Sequence, residues 1–373
     1  MTRTLIDIHV IQTVPPSNVN RDDTGSPKSA VYGGVRRARV SSQAWKRAAR
    51  NAFRTHLDRS DLGVRTKRVV EVIAEAITDR DGTLADRANE LAKGVVTAAG
   101  IKVAAPRKAT NTVEESGYLI FLSARQIQSL AGLAIDADRS GSALDKKSAG
   151  AVFKADNSID LALFGRMVAD ISDLNVDAAA QVAHAISTHA VNTEFDYFTA
   201  VDDRKQDSTD EDAGAGMIGT VEFNSSTLYR YATVDLQALQ ANLGDAEATV
   251  RATVAFVRAF LTSMPTGKQN TFANNTLPDA VLVTLRQDRP ISLVGAFEEP
   301  VSAVGTGGHV IESIGRLSGY AKEVADAYGA PVASWVVGIG DRVQPLEALG
   351  QRVSAGDLDD ALGAALRERI SGA

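Results

Sequence analysis

The sequence predicts an α+β fold in which a β-sheet core carries two inserted appendages. Residues 5–13 alternate and are rich in β-branched side chains, which is typical of a strand, and a basic amphipathic helix follows later. Residues 58–157 carry mainly helical patterns, which indicates a helical insertion. Two strand patterns flank an acidic, glycine-ended stretch at residues 202–216, which predicts a long hairpin arm.

Composition and charge narrow the class of protein. The chain has 373 residues, enough for one large or two ordinary domains, and its 40 basic and 46 acidic residues give a net charge of −6. An acidic total argues against indiscriminate coating of nucleic acid and favours a defined basic groove. The chain has no cysteine, which excludes disulfides and thiolate metal sites. Because it shows neither a secretory segment nor an apolar run of ~20 residues, we expect a soluble, cytoplasmic protein with no membrane contact.

Residues 33–54 reverse the charge of the chain locally. No acidic residue occurs from position 24 to position 57. The basic residues of the stretch are Arg36, Arg37, Arg39, Lys46, Arg47, Arg50 and Arg54. A positive surface inside an anionic protein favours an anionic ligand. The alternative is an ordinary surface helix with a solvated basic face.

The same stretch predicts a helix that begins at Ser41 or Ser42, because a serine hydroxyl can accept from first-turn N–H groups. One apolar face is formed by Trp45, Ala48, Ala49, Ala52 and Phe53, and a cationic stripe beside it by Lys46, Arg50 and Arg54. Free N–H donors at the helix start could hold a phosphate at residues 41–43.

Hydrophobic periodicity assigns the rest of the chain. Up to residue 167 we expect short strands at 31–32 and 37–40, helices within 65–100 and at 125–137, a buried strand at 117–123, a mobile polar loop at 138–157 and a strand at 158–167. Beyond it we expect a helix or strand at 178–190, helices at 246–264, 311–328 and 346–370, and strands at 280–285 and 335–339.

Residues that could carry chemistry are few. His184 and His189 are five residues apart, which differs from zinc-ligand spacing and indicates packing or hydrogen bonding. The pair Asp22 and Asp23 could bind a hard cation, or it could form a turn with an internal Arg–Asp pair. Residues 305–308 are glycine-rich but lack the ending of a phosphate loop, so they indicate a flexible loop. We expect neither a metal nor a cofactor.

Three aromatic residues, Phe195, Tyr197 and Phe198, precede the acidic tip of the arm. Such a run is typical of a buried core. The alternative is that aromatic side chains beside a cationic groove stack on bases or wedge between them.

Ten short motifs carry a family resemblance. The longest is Gly-Gly-Val-Arg-Arg-Ala-Arg-Val-Ser-Ser-Gln at 33–43, and the others lie at 6–10, 20–23, 46–50, 163–167, 183–189, 198–203, 223–226, 229–232 and 267–269. In this order they resemble the CasC family, the backbone subunit of the type I-E CRISPR Cascade surveillance complex. The resemblance covers most of the chain up to about residue 300.

The resemblance implies an RRM-like (ferredoxin-like) palm with a helical fingers insertion and a β-hairpin thumb. The implied divisions are palm at 1–57, fingers at 58–157, palm at 158–192, thumb at 193–224, and the second half of the palm with C-terminal helices at 225–373. It also implies a non-catalytic scaffold in antiviral defence. Copies would form a helical filament along one guide RNA, and each thumb would kink the guide so that short segments pair with target DNA.

The implied partners are the CRISPR guide RNA, other copies of the chain, target DNA and the remaining Cascade subunits. Those subunits are a guide-processing endoribonuclease, a subunit that binds the 5′ handle, and the small and large subunits.

The resemblance assigns a role to individual residues. Asn20, Arg21 and Lys28 would line the guide groove, while Ser41, Gln43, Lys46, Arg47 and Arg50 would contact the guide backbone. Met167 would pack beside the kink, Phe198 and Thr199 begin the thumb, Ile218 would meet the displaced nucleotide, and Lys268 would support phosphates. Val35 departs from the family pattern, in which a basic residue can follow Gly-Gly, so Arg36 or Arg37 would take that contact.

A second function stays open at this stage. Related type III backbone subunits place a catalytic aspartate in the corresponding loop after the first strand. Asp22 would then be the catalytic residue of a metal-dependent ribonuclease that cleaves guide-paired RNA.

Overall fold

The structure, a computed structural model, describes residues 3–106, 113–168, 171–200, 217–303 and 308–371. Within these ranges, no helix combines the length and the apolarity that a membrane crossing needs. The acidic arm tip at 202–216 lies outside the described residues. So does the glycine-rich stretch at 305–308, apart from Gly308.

The chain begins with a long strand and a hairpin before its first long helix. These elements are β1 (Leu5–Ser17), β2 (Ser29–Tyr32), β3 (Val35–Val40) and α1 (Ser42–His56). The short strands expected at 31–32 and 37–40 are confirmed, and they pair antiparallel in one hairpin.

A helix-rich region follows α1. Its elements are β4 (Gly63–Thr66), α2 (Val69–Arg80), α3 (Ala88–Ala98), β5 (Val103–Ala104), β6 (Glu115–Ser116), β7 (Ile120–Ser123), α4 (Ala124–Ser140), α5 (Lys146–Lys154) and α6 (Ile159–Phe164). Buried side chains of α2, α3, α4 and α5 form a hydrophobic cluster separate from the sheet core; Ile73, Val95, Leu130 and Phe153 belong to it. The region therefore has a core of its own, while the domain boundaries given above stay predictions.

Two expectations in this region are wrong. The mobile loop expected at 138–157 contains α5, because Ala149 and Phe153, one helical turn apart, both bury their side chains. The strand expected at 158–167 is α6, a short helix whose Asp160 accepts a hydrogen bond from the Gly63 N–H at 2.9 Å. A short apolar run suits a buried helix as well as a buried strand, so periodicity alone does not separate them.

The second half of the chain supplies the arm and most of the sheet. Its elements are β8 (Ala180–Val182), β9 (Ala185–Ser187), β10 (Glu194–Ala200), β11 (Met217–Asp235), α7 (Leu236–Leu243), α8 (Ala246–Thr262), α9 (Gln269–Phe272), β12 (Ala280–Arg286), α10 (Val310–Tyr328), β13 (Ala333–Gly338), α11 (Gln344–Glu347), β14 (Gln351–Arg352) and α12 (Ala355–Ser371). The predicted hairpin arm is β10 paired antiparallel with the first half of β11.

Ten of the described strands form one sheet in the order β14-β13-β12-β1-β11-β9-β3-β2, with β8 and β10 also paired to β11. Strand β1 lies in the middle, as predicted, antiparallel to both β11 and β12. Together with α1 and α8, strands β1, β9, β11 and β12 form the β-α-β-β-α-β arrangement of a ferredoxin-like unit. The predicted α+β class and its RRM-like palm are confirmed.

Both faces of the sheet are covered. Ile6, Ile8 and Val10 of β1 pack into the core that α1, α8 and α12 share. Ile11, one position out of phase, packs instead with the cluster that α10 covers. Helix α10 therefore occupies the sheet face opposite α1, and the buried side chains of β1 and β11 on that face are closed off from a large ligand.

Candidate nucleic-acid interface

Helix α1 begins and packs as the sequence predicts. Ser41 is the N-cap, and its hydroxyl oxygen accepts from the Ala44 N–H at 3.3 Å. Trp45, Ala48, Ala49 and Phe53 are buried. The Arg230 guanidinium lies 3.7 Å from the centre of the Trp45 ring, a contact that the sequence did not suggest. These contacts fix one side of the helix in the core.

The cations of α1 fall into two groups. Arg47 and Arg54 are exposed. Lys46 and Arg50 are half-buried: Lys46 Nζ lies 5.9 Å from the Phe164 ring centre, and Arg50 Cζ lies 5.2 Å from that of Phe121. Burial lowers the pKa of Lys46 and is also the largest cause of the lowered pKa of Arg50. Only the first group has its whole guanidinium free for a phosphate.

Arg50 also connects α1 to the helix-rich region. Its Nε lies 3.8 Å from an oxygen of the buried Asp160 carboxylate, which acts against the burial and raises the pKa of Arg50. The positive charges of Arg65, Arg54 and Arg47 lower that pKa. Arg65 is exposed on β4, and the sequence analysis missed it because it lies outside the basic stretch. Its charge nevertheless adds to the same positive surface.

The loop between β1 and β2 is held against the start of α1. The Ser41 N–H donates to Asn20 Oδ1 at 2.8 Å, and the Lys28 N–H donates to the Asn20 carbonyl at 2.9 Å. Arg21 is exposed and Lys28 is half-buried. Three predicted residues, Asn20, Lys28 and Ser41, are therefore brought together.

The predicted phosphate position at residues 41–43 needs correction. His184 Nδ1 accepts from the Ser42 N–H at 3.2 Å, and the Ala44 N–H is already capped by Ser41. The pKa of His184 is lowered by burial and by the charges of Arg39 and Lys28, which keeps this acceptor nitrogen unprotonated. Two N–H groups of the first turn are thus occupied, and the hydrogen-bonding role expected for His184 is confirmed. Gln43 is exposed on the same turn.

Arg36 and Arg37 have opposite environments, which decides between them. Arg37 is fully buried and donates to the carbonyl oxygens of Tyr32, Ser187, Phe297 and Glu298 at 2.9–3.2 Å. Arg36 is exposed. Of the two, only Arg36 can take the contact that the resemblance assigns near Val35.

Asp22 is held within its own loop. Its Oδ1 accepts from the Thr24 N–H, the Thr24 hydroxyl and the Ser26 N–H at 2.7–3.0 Å. The Thr24 hydroxyl is the main cause of the lowered pKa of Asp22. The turn expected there is confirmed, but its internal donors are Thr24 and Ser26 rather than Arg21. Within the described part of the chain, no group of three His, Asp or Glu side chains is arranged to hold a metal ion.

The aromatic side chains of the arm are exposed, so the buried core expected for them is wrong. Phe195 and Tyr197 are 67% and 64% exposed, and Phe198 is 38% exposed. A Cβ on Gly219 would lie 2.4 Å from Phe198 Cζ, so the Phe198 ring lies directly on that glycine. Thr199 pairs with Ile218 across the hairpin. The Ile218 side chain lies outside the described residues.

Met167 and Lys268 lie on separate loops. Met167 is 85% exposed, and the preceding Arg166 is buried and donates to the carbonyl oxygens of Leu174, Phe121 and Phe153. Arg166 therefore fixes the backbone from which Met167 projects. Lys268 has a left-handed backbone (φ 50°) and follows Gly267, which packs on the Val19 carbonyl. The turn of Lys268 thus contacts the loop that contains Asn20.

The fold and this surface define an α+β protein with an RRM-like core, a cationic helix and an exposed aromatic arm. A family model described as CT1975-like protein matches residues 6–362, and the chain belongs to that family. No curated protein matches the sequence.

Two solved structures are similar over nearly the whole chain. A chain of a "CRISPR RNA-guided surveillance complex, pre-nicking" is 38% identical, with a TM-score of 0.85 over 97% of this chain and 100% of that chain. A chain of a "CRISPR RNA-guided surveillance complex" is 32% identical, with a TM-score of 0.74 over 97% of this chain and 99% of that chain.

Proposed function

We propose that the chain is a non-catalytic, RNA-binding scaffold subunit of a CRISPR surveillance complex of type I-E. The observation that carries the proposal is the joined surface of α1 and the β1–β2 loop, a cationic surface on an acidic protein. Its full-length similarity to chains of two RNA-guided surveillance complexes supports the same role.

The route of the RNA follows from the covered sheet. In an ordinary RRM, bases stack on aromatic side chains of the open sheet face. Here His9, Tyr229 and Tyr231 lie on the face covered by α10 and are buried. We therefore place the guide along α1 and the β1–β2 loop, where Arg21, Arg36, Gln43, Arg47 and the other exposed groups hold its backbone. A scaffold must accept any guide sequence, so contacts to phosphate and sugar outweigh base contacts.

The arm and Met167 supply apolar groups that the cationic surface lacks. Phe198 and Met167 are exposed and can pack on unstacked bases, which is the contact that a kinked guide requires. The thumb then displaces a nucleotide at each kink and leaves short segments for pairing with target DNA. Repetition of this unit along one guide forms a filament, to which the other Cascade subunits attach.

The absence of catalysis is part of the proposal, and Asp22 provides its test. Oδ1 of Asp22 is committed to Thr24 and Ser26, an arrangement that stabilises the loop. We expect RNA complementary to the guide to remain intact when it is incubated with the assembled complex and Mg²⁺. Asp22→Ala and the neighbouring control Asp23→Ala should give the same result. Fragments at regular intervals that disappear only with Asp22→Ala would contradict the scaffold and establish a ribonuclease.

A further inference from the structure

Asn18 lies where the loop, the thumb and the α8–α9 turn meet. It follows β1 directly and is only 1% exposed. Its Nδ2 donates to the Gly25 carbonyl and to the Glu222 carbonyl, each at 2.9 Å. Gly25 belongs to the β1–β2 loop, and Glu222 belongs to the thumb half of β11, opposite Phe195. One buried amide therefore joins the two elements that bound the proposed groove.

The orientation of this amide is fixed by its partners. With Nδ2 between two carbonyl oxygens, both of its hydrogens are used; the opposite orientation would put Oδ1 against the same two oxygens. Oδ1 is buried and has no hydrogen-bond partner among the described residues. An unpaired buried acceptor is costly. The residue therefore stabilises the fold through its donors alone.

Neighbouring contacts hold Asn18 in place. A Cβ on Gly267 would lie 2.1 Å from the Val19 carbonyl oxygen and 2.8 Å from that of Asn18, so the α8–α9 turn packs closely on this backbone. Phe272 of α9 contacts Phe223, beside Glu222, with ring centres 5.9 Å apart. Two residues further along the chain, Asn20 fixes the same loop to α1.

We infer that Asn18 is a positioning residue: its two hydrogen bonds set the thumb against the β1–β2 loop and thereby set the width of the RNA groove. The inference rests on the proposed function, because it assigns Asn18 to that same groove. It concerns no contact between Asn18 and RNA, since the side chain is buried.

The test measures thumb position and RNA affinity in one variant. The chain has no cysteine, so nitroxide labels at Thr220→Cys on the thumb and Gln181→Cys on β8 are specific. Asn18→Asp puts a carboxylate against two carbonyl oxygens and should broaden the label distance distribution at about pH 8. The affinity for a labelled single-stranded RNA of about 16 nucleotides should fall about five- to tenfold.

A pH profile separates positioning from general destabilisation. Near about pH 5 the carboxyl group introduced by Asn18→Asp would be protonated and regain one O–H donor, so distance width and affinity should both recover in part. The exposed control Asn89→Asp should match the wild type throughout. If Asn18→Asp does not fold, Asn18→Ala should show the same broadening without pH dependence.

The outcomes distinguish the two proposals. Unchanged distances, unchanged affinity, or changes in Asn18→Asp that do not recover at low pH would overturn the role of Asn18. Wild-type chain that fails to bind the RNA would instead overturn the proposed function, while the distances would still report whether Asn18 positions the thumb.

Discussion

Replacing Arg47, Arg54 and Arg65 together by glutamine is expected to weaken single-stranded RNA binding about a hundredfold at ~0.1 M salt. All three side chains are exposed on the cationic surface, and none is needed for packing. Each lost phosphate contact lowers the slope of log affinity against log salt by about 0.7, so the slope should fall by about 2. Fluorescence anisotropy across a salt series measures both quantities.

A control with the same change of charge tests whether position matters. Lys147, Arg289 and Lys322 are also exposed, on α5, after β12 and on α10. Their triple replacement by glutamine should leave the affinity within about twofold and the melting temperature unchanged. Equal losses of affinity in the two triple variants would show that net charge, rather than the surface along α1, governs binding.

Arg37→Met should lower the free energy of unfolding by about 4 kcal/mol. The reason is that the Arg37 guanidinium donates to four backbone carbonyl oxygens from β2, β9 and the 297–298 segment. Methionine fills the space of the stem but leaves buried carbonyls without donors. Urea denaturation of the isolated chain measures the loss.

The neighbouring Arg36→Met is the matched control. Because Arg36 is exposed, its replacement should change the free energy of unfolding by less than about 0.5 kcal/mol. It should nevertheless weaken RNA binding, since Arg36 belongs to the proposed contact surface. Equal stability of the two variants would contradict the structural role of Arg37.

Local patterns predicted the elements whose stability is local. The start of α1 depends on a serine hydroxyl and its buried face on helical spacing, so Ser41 and Trp45 were predicted correctly. β1 was predicted to be central because apolar side chains occupy both of its faces. The ferredoxin-like order followed from the family resemblance rather than from these patterns.

The failures depend on tertiary contacts. α5 exists because Phe153 and Ala149 find a core in the helix-rich region, which polar composition at 138–157 concealed. Arg37 and Arg50 look like surface cations in the sequence, yet four carbonyls enclose Arg37, while Asp160 pairs with Arg50. Asn18 has no feature in the sequence that distinguishes it from other loop asparagines; only the position of Glu222 gives it a role.

The central claim is that one chain is a repeating unit along RNA, and counting copies tests it most directly. Native mass spectrometry would measure the chain bound to single-stranded RNAs of about 16, about 32 and about 64 nucleotides. The scaffold predicts that the number of bound copies rises in proportion to RNA length, with the RNA intact. A single copy at every length, or no bound RNA, would contradict it.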